Sequence, residues 1–172
     1  FKSRQGQLFE DLVELEPIFN NLPKHLVYDG GLLATDDTLE SKDRFRLTGK
    51  ILRTKGSKKD IMFYIYDMLP LDEFKKGKSK LGYEDRQKEI DKLFAEYNLN
   101  NNPLIERVPR LYEGEDKGVI FPLLKDVLAK KHEGLMLNTA NGKYETKRSV
   151  QLLKIKEFHT IDLRIIDYKE HK

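Results

Sequence analysis

One segment near the end of the chain carries two lysines at a spacing that can bind an anion. Residues 151–157 are predicted to form a strand, and side chains alternate across a strand, so Lys154 and Lys156 share one face. Two ammonium groups about 7 Å apart repel each other unless an anion such as a phosphate lies between them. The alternative is a half-buried strand whose polar face is solvated.

A carboxylate at the start of another apolar strand is a second candidate. Glu133 precedes Gly134 and a run of apolar residues, where a carboxylate is costly unless it is paired or bound to a metal. Gly134 allows a ligand or another backbone to approach closely. Because a cation such as Mg²⁺ binds carboxylate and phosphate oxygens together, Glu133 is a candidate metal ligand. The alternative is a helix end that runs into a strand.

Three residues in the first half of the chain have less specific surroundings. Tyr66 ends an apolar run, where its ring can stack on a purine base or pack in the core. Asp29 precedes two glycines, a pattern that fits a strand or a turn. Arg4 comes immediately before the Gln5-Gly6 turn, where its guanidinium can reach a phosphate or remain solvated.

The order of these residues along the chain resembles the motif series of the ATP-dependent DNA ligases. The matching segments are Ser3-Arg4-Gln5-Gly6, Tyr28-Asp29-Gly30, Phe63-Tyr64-Ile65-Tyr66-Asp67, Glu133-Gly134-Leu135-Met136 and Leu153-Lys154-Ile155-Lys156. The resemblance runs from Ser3 to Lys156 and is most specific in the last two segments. These ligases are covalent nucleotidyltransferases, a group that also includes RNA ligases and mRNA capping enzymes.

The resemblance implies a nucleotide-binding role for five residues, with ATP and Mg²⁺ as ligands. Tyr66 matches the aromatic residue that packs on adenine, and Asp29 matches the acidic residue of an Asp-Gly-Glu motif. Glu133 matches the carboxylate that supports the catalytic metal. Lys154 and Lys156 match the lysines that contact the phosphates of the nucleotide.

The implied reaction is the sealing of nicks in duplex DNA. ATP adenylates a lysine, AMP passes to a 5′-phosphate, and a 3′-hydroxyl then displaces AMP. Arg4 matches an arginine that binds phosphate near the nick, so nicked duplex DNA is the expected partner of a monomeric protein. An RNA ligase or capping-type enzyme, and a non-catalytic nucleic-acid-binding module, are the alternatives.

Two departures from the family pattern bear on activity. The nucleophilic lysine of the family lies in a Lys-x-Asp-Gly motif upstream of the Ser-Arg motif. That string does not occur here. The Asp29-Gly30 pair does not complete it, because Val27 stands at the position of the lysine. We therefore expect a chain truncated before its catalytic lysine and unable to adenylate itself. In addition, Gly31 stands where the family has Glu, so a carboxylate expected to help hold the ribose is absent.

Composition limits the class of protein without identifying it. The 172 residues are 38% hydrophobic and 10% aromatic, which fits one folded domain. A net charge of +3 does not by itself indicate a nucleic-acid binder. Without cysteine there is neither a disulfide nor a thiolate zinc site. No apolar run approaches the roughly 20 residues of a membrane span. We expect no membrane association and a cytoplasmic protein of bacterial or phage-type origin.

The elements that must position these residues are mixed along the chain. Strands are predicted at 26–34, 61–69, 105–111, 134–138 and 151–157, and helices at 43–55, 83–97 and 117–131, with a mobile loop at 75–80. This mixture favours an α+β fold. The resemblance implies two antiparallel sheets with flanking helices and a cleft between them, the ATP-grasp-like catalytic domain of DNA ligases and capping enzymes. Residues 1–157 would form this domain, and 158–172 a hinge and the start of an OB-type domain.

Overall fold

The computed structural model describes residues 1–157 of the chain, so the predicted hinge and barrel strand at 158–172 lie outside the described residues. The elements follow in the order α1 (Glu16–Asn21), β1 (Leu26–Ala34), α2 (Ser41–Arg53), β2 (Ile61–Pro70), α3 (Leu71–Lys76), α4 (Tyr83–Glu96), β3 (Ile105–Arg107), α5 (Ile120–Ala129), β4 (Leu135–Asn138) and β5 (Leu152–Ile155), with single-turn 3-10 helices at Leu99–Asn101 and Lys117–Val119. Within residues 1–157, no helix has both the length and the hydropathy that a membrane crossing requires.

The strands form two sheets. In the larger sheet β1 pairs antiparallel with β2, and β3 lies on the other side of β2. The smaller sheet is the antiparallel pair of β4 and β5. The expected α+β fold with two sheets and flanking helices is confirmed. The larger sheet is mixed rather than wholly antiparallel, because β3 runs parallel to β2. The connection between them contains α3 and α4, and a parallel pair requires such a long crossover.

The core lies between the larger sheet, α4 and the N-terminal segment. The cluster of buried apolar side chains is Leu12, Leu15, Leu22, Ile61, Phe63, Ile65, Met68, Ile90, Leu93, Phe94, Leu99 and Ile105. The ring of Phe19 packs edge-on against Phe63, with their centroids 5.1 Å apart. Each fully buried side chain of this size stabilises the fold by roughly 1.5–3 kcal/mol. The core therefore fixes β2, the strand that carries Tyr66, more firmly than any other strand.

The segment 75–80 is ordered, and the prediction of a mobile loop is wrong. Helix α3 continues to Lys76, and Gly77 ends it in the left-handed conformation with φ +81°. Ser79 is 4% exposed, and its N–H donates to the carbonyl of Tyr144 at 3.0 Å. The lysine-rich composition correctly indicates exposed side chains, but it says nothing about backbone hydrogen bonds to a distant part of the chain.

Three predicted elements are shorter in the structure by three or more residues. The strand predicted at 151–157 covers only Leu152–Ile155, so Lys156 follows the strand and is not part of it. The strand predicted at 105–111 ends at Arg107. The helix predicted at 117–131 begins with a 3-10 turn and is α-helical only over Ile120–Ala129. Pro122 lies in the first turn of this helix, where its missing N–H removes no hydrogen bond.

A glycine in β1 allows that strand to approach the core closely. A Cβ atom on Gly30 would lie 2.3 Å from Phe63 Cζ and 2.3 Å from the carbonyl oxygen of Tyr64. We expect Gly30→Ala to lower the free energy of unfolding by roughly 1–3 kcal/mol, because backbone must move to admit the methyl group. Urea denaturation measures the change.

A second glycine supplies the control for this measurement. Gly49 lies inside α2, and its added Cβ would meet only the flexible end of Arg53, 3.2 Å away. Gly49→Ala should raise the free energy of unfolding by about 0.5–1 kcal/mol, because alanine favours the helix. Equal stability of Gly30→Ala and the unmodified chain would contradict the close approach at Gly30.

Candidate functional site

A β-bulge in β2 sets the position of Tyr66. Asp29 pairs with Asp67 and Gly30 pairs with Ile65, so Tyr66 is the extra residue on its strand. The carbonyl of Tyr66 accepts a hydrogen bond from Gln87 Nε2 at 3.0 Å. Gln87 of helix α4 therefore donates the hydrogen bond that the Tyr66 carbonyl lacks between the strands at the bulge.

The ring of Tyr66 is partly open to solvent. Its side chain is 47% exposed, and its hydroxyl end lies against β1 at Gly31, where a Cβ would be 2.3 Å from the hydroxyl oxygen. Partial burial raises the pKa of this hydroxyl, and the nearby charge of Asp29 raises it further. The predicted alternative of core packing does not apply, because the ring remains available at the surface.

Asp29 lies on the same side of the sheet and is held by a residue that the sequence analysis did not identify. The hydroxyl of Tyr144 donates to Asp29 Oδ2 at 2.9 Å. Burial raises the pKa of the Asp29 carboxyl, the bond from Tyr144 lowers it, and the charge of Asp67 raises it. Asp29 is thus a half-buried carboxylate that accepts hydrogen bonds from a neutral phenol and from the backbone of Gly30.

A buried ion pair beneath these residues was also missed. Arg86 is 4% exposed, and its Nε and Nη2 donate to the two carboxylate oxygens of Asp67 at 2.8 and 2.7 Å. The remaining nitrogen, Nη1, donates to Ser79 Oγ and to the carbonyls of Leu81 and Gly142. The sequence contained the signal. A charge that is buried requires an opposite charge beside it, and the sequence has an aspartate at the end of an apolar strand and an arginine on the apolar face of a helix.

The segment around Tyr144 connects these residues to the smaller sheet. The Tyr144 N–H donates to Ser79 Oγ at 2.8 Å, and the Thr146 N–H donates to the carbonyl of Gly77 at 3.1 Å. The guanidinium of Arg86 lies 5.9 Å from the centroid of the Tyr144 ring. The loop between β4 and β5 is therefore anchored on α4 and on the connection between α3 and α4.

On the smaller sheet, Glu133 and Lys154 form an ion pair. Lys154 Nζ lies 2.8 Å from Glu133 Oε1, with the side chains 44% and 76% exposed. The hydrogen bond and charge of Lys154 lower the pKa of the Glu133 carboxyl, and Lys156 lowers it further. An ion pair this exposed adds little to stability. Its members can therefore change partners at little cost.

Gly134 allows β4 and β5 to meet at this point. A Cβ on Gly134, which has φ +149°, would lie 2.2 Å from the carbonyl oxygen of Ile155. Of the two alternatives for this glycine, the close neighbour in the structure is another backbone. The contact brings the segment that carries Glu133 beside the strand that carries Lys154.

A metal ion would fit this site only with phosphate as a further ligand. Among residues 1–157 no three His, Cys, Asp or Glu side chains are grouped so that they could hold a cation. Mg²⁺ commonly takes one or two carboxylates together with substrate phosphates and water. The exposed carboxylate of Glu133 beside two lysines is compatible with that arrangement.

The six predicted site residues thus fall into three places. Tyr66 and Asp29 share a face of the larger sheet, whereas Glu133 before β4, Lys154 in β5 and Lys156 after β5 lie together at one end of the smaller sheet. Arg4 is exposed in the predicted turn, where the Gly6 N–H donates to the carbonyl of Ser3 at 2.9 Å. The convergence of the first two groups on one bound nucleotide stays a prediction.

The raised pKa of Asp29 gives a pH-dependent prediction. A carboxyl with a higher pKa in the folded state opposes folding once it ionises, so its cost is absent below the unfolded value of about 3.9 and appears as the pH rises through the folded pKa. Asp29→Asn removes the charge and still accepts the bond from Tyr144. We expect this variant to melt a few degrees higher than the unmodified chain at pH 7.

The measurement is a pair of thermal unfolding curves at pH 7 and pH 3.5. The advantage of Asp29→Asn should shrink at the lower pH, where the unmodified carboxyl is protonated as well. Asp37→Asn is a matched control, because Asp37 is exposed on the connection after β1. A lower melting temperature for Asp29→Asn at pH 7 would contradict the burial argument.

Comparison with known proteins gives consistent results for family and fold. A family model described as "ATP dependent DNA ligase domain" matches residues 3–156. A structure named "Pmar-Lig_PreS3" is 23% identical with a TM-score of 0.70, covering 91% of this chain and 37% of its own. Chlorella virus DNA ligase-adenylate is 22% identical with a TM-score of 0.63, covering 90% and 54%. The ATP-dependent DNA ligase of bacteriophage T7, in complex with ATP, is 20% identical with a TM-score of 0.59, covering 84% and 49%.

These similarities cover only part of the compared structures. The chain spans between 37% and 54% of the length of these three structures. No curated protein matches the sequence.

Proposed function

Because the chain belongs to the family of ATP-dependent DNA ligase domains, we propose that it is the nucleotide-binding part of an enzyme that seals nicks in duplex DNA. The observation that carries this proposal is the group of Glu133, Lys154 and Lys156 at one end of the smaller sheet. It combines one exposed carboxylate with two cations, the set of charges that a nucleotide phosphate and its metal ion require. The family match over residues 3–156 supports it independently.

Lys154 and Lys156 bind the phosphates and offset the negative charge that develops on phosphoryl oxygens. Lys154 Nζ lies 2.8 Å from Glu133 Oε1, and both side chains are exposed enough to reorient toward a nucleotide. Bound Mg²⁺ supplies further charge neutralisation, and Glu133 is the residue that would hold it. The pair therefore separates when phosphate enters, with Lys154 turning to phosphate oxygen.

Tyr66 binds the adenine ring, and Asp29 provides a polar group on the same surface. The half-exposed Tyr66 ring offers a flat apolar face, and base stacking on such a ring contributes about 1–3 kcal/mol. The bulge carbonyl held by Gln87 keeps the ring in place. Arg4, exposed in its turn, binds a phosphate of the DNA backbone.

The sequence contains no Lys-x-Asp-Gly string, so the chain binds the nucleotide without accepting AMP on a lysine of that motif. When such a segment precedes these residues, the enzyme proceeds through an enzyme–AMP and a DNA–adenylate intermediate. The 172 residues then contribute the base-binding and phosphate-binding side chains, and the added segment contributes the nucleophile.

Labelling with ATP tests the proposal. The 172-residue chain, alone and with a Lys-x-Asp-Gly segment from a ligase of this family fused upstream, is incubated with Mg²⁺ and ATP labelled in the α-phosphate. We expect label on the fused protein only, and transfer of the label to nicked DNA when DNA is added. Replacing the motif lysine with alanine is the control. A fused protein that folds but never becomes labelled would contradict the proposal.

The same assay separates the related enzymes. Nicked DNA, nicked RNA and triphosphate-ended RNA are offered in competition to the labelled protein. Transfer to nicked DNA in preference to the other two supports a DNA ligase. Preferential transfer to either RNA would instead assign an RNA ligase or a capping-type enzyme.

Gly31 favours one further candidate, a nucleic-acid-binding module without catalysis. A family carboxylate is absent at this position, which removes one contact to the nucleotide. Such a module binds duplex DNA with an affinity that falls steeply with salt. It also remains unlabelled by ATP in the fused form, which distinguishes it from the ligase.

A further inference from the structure

On the surface of the larger sheet, the end of the Tyr66 ring lies where a side chain at residue 31 would be. The bulge places Tyr66 outside the regular pairing of β1 and β2. A Cβ on Gly31 would lie 2.3 Å from the Tyr66 hydroxyl oxygen and 3.1 Å from the ring carbon that bears it. Contacts below 3 Å between such atoms do not occur, so any side chain at residue 31 would displace the end of the Tyr66 ring. The absence of a side chain at residue 31 thus determines where the hydroxyl lies.

The Tyr66 hydroxyl lies beside Gly31 and within the electrostatic influence of the Asp29 carboxylate. Within residues 1–157 the structure gives it no hydrogen-bond partner. The Asp29 carboxylate is close enough to raise the pKa of Tyr66, and Asp29 accepts a bond from Tyr144. A phenol can both donate and accept, and a carboxylate accepts. Together Tyr66 and Asp29 can bind a ligand hydroxyl through complementary hydrogen bonds.

We propose that the Tyr66 hydroxyl, seated on Gly31, binds a ribose hydroxyl of the nucleotide and takes the place of the carboxylate that is absent at residue 31. The inference rests on the proposed function, since it requires a nucleotide on this face of the sheet. Tyr66 then makes two contacts with the ligand, because its ring contacts the base and its hydroxyl contacts the sugar. Gly31 is the positioning residue of the pair, and Tyr66 determines the preference for ribose over deoxyribose.

Comparison of nucleotides that differ in one hydroxyl tests the role of Tyr66. Affinities of the 172-residue chain for ATP, 2′-deoxy-ATP and 3′-deoxy-ATP are measured by calorimetry with Mg²⁺ present. The unmodified chain should prefer ATP over at least one deoxy form by roughly threefold to tenfold, the value of one hydrogen bond. Tyr66→Phe keeps the ring and should abolish that preference by weakening the binding of ATP.

A tyrosine elsewhere supplies the control for the loss of a hydroxyl. Tyr112 lies in the segment before α5, and its hydroxyl accepts a hydrogen bond from the Asp116 N–H. Tyr112→Phe should retain the preference for ATP. If Tyr66→Phe retains it as well, the hydroxyl does not contact the ribose and the proposal is overturned.

Restoring the family carboxylate tests the role of Gly31. Gly31→Glu should weaken the binding of ATP and of both deoxy forms, because the Tyr66 ring must leave its position. In Gly31→Glu with Tyr66→Ala, the second substitution should cost less affinity than Tyr66→Ala does alone, because the ring is already displaced. Circular dichroism melting confirms that each variant is folded. If Gly31→Glu binds ATP as tightly as the unmodified chain, a side chain at residue 31 does not displace the Tyr66 ring, and the role of Gly31 is overturned.

The outcomes distinguish this inference from the function on which it rests. Nucleotide binding that is independent of the sugar overturns the inference and leaves the proposed function intact. If the folded chain binds no nucleotide even at millimolar concentration, the site itself is wrongly assigned, and the inference falls with the proposed function.

Discussion

Replacing Lys154 with alanine is expected to reduce adenylation about 100-fold to 1,000-fold in a protein where a Lys-x-Asp-Gly segment precedes this chain. Removing one group that stabilises charge on the reacting oxygens typically has an effect of this size. The fold should be almost unaffected, because Lys154 is 44% exposed and its partner Glu133 is 76% exposed. The rate of labelling by ATP, measured beside the melting temperature, tests both statements.

Two variants act as controls for this result. Lys147→Ala removes an exposed lysine from the loop between β4 and β5 and should leave labelling unchanged. Lys154→Arg keeps the charge but changes its geometry, and an intermediate rate is expected. Normal adenylation by a folded Lys154→Ala protein would remove Lys154 from the site.

The ion pair itself can be tested without any enzymatic assay. Lys154 is the main cause of the lowered pKa of the Glu133 carboxyl. In Lys154→Ala this carboxyl should therefore titrate at a higher pH than in the unmodified chain, and NMR of the side-chain carbon can follow it. An unchanged titration would show that the two groups are not paired in solution.

Replacing Arg86 with methionine is expected to lower the free energy of unfolding by about 3–5 kcal/mol. The substitution preserves much of the side-chain volume but leaves Asp67 as a buried carboxylate without its cation. It also leaves the carbonyls of Leu81 and Gly142 without their donor. Urea denaturation at pH 7 provides the measurement.

The charge argument predicts partial recovery in a double variant. Arg86→Met with Asp67→Asn should be more stable than Arg86→Met alone, because no unpaired charge is buried. Lys88→Met removes a lysine from the exposed side of the same helix and should change stability by about 0.5 kcal/mol or less. Equal losses for Arg86→Met and Lys88→Met would contradict the buried pair.

Local patterns in the sequence predicted most of the fold. The strands around Asp29 and Tyr66, and helix α4, lie within one or two residues of their predicted bounds, because each has a strong apolar periodicity. The parallel pairing of β3 with β2 did not follow from any such pattern. The direction of strand pairing depends on the path of the connection between the strands, and the local periodicity of apolar residues contains no information about that path.

The candidate site was predicted to a more limited extent. The motif order identified Glu133, Lys154 and Tyr66 as candidates, but it did not predict that the first two form an ion pair. Tyr144 was missed because its bond to Asp29 joins residues 115 positions apart, across elements that share no sequence pattern. The seating of Tyr66 on Gly31 was missed as well, because it depends on a bulge, and one extra residue in a strand leaves almost no trace in composition.

The exposure of β4 and β5 has a consequence for the dynamics of the protein. Every side chain of these two strands is at least partly exposed, whereas most of β2 is buried. The smaller sheet should therefore open locally without global unfolding, and its amide protons should exchange with solvent faster than those of β2. Because Lys154 lies on this sheet, a bound nucleotide would slow that exchange, and protection at Met136–Asn138 would report occupancy without an adenylation assay.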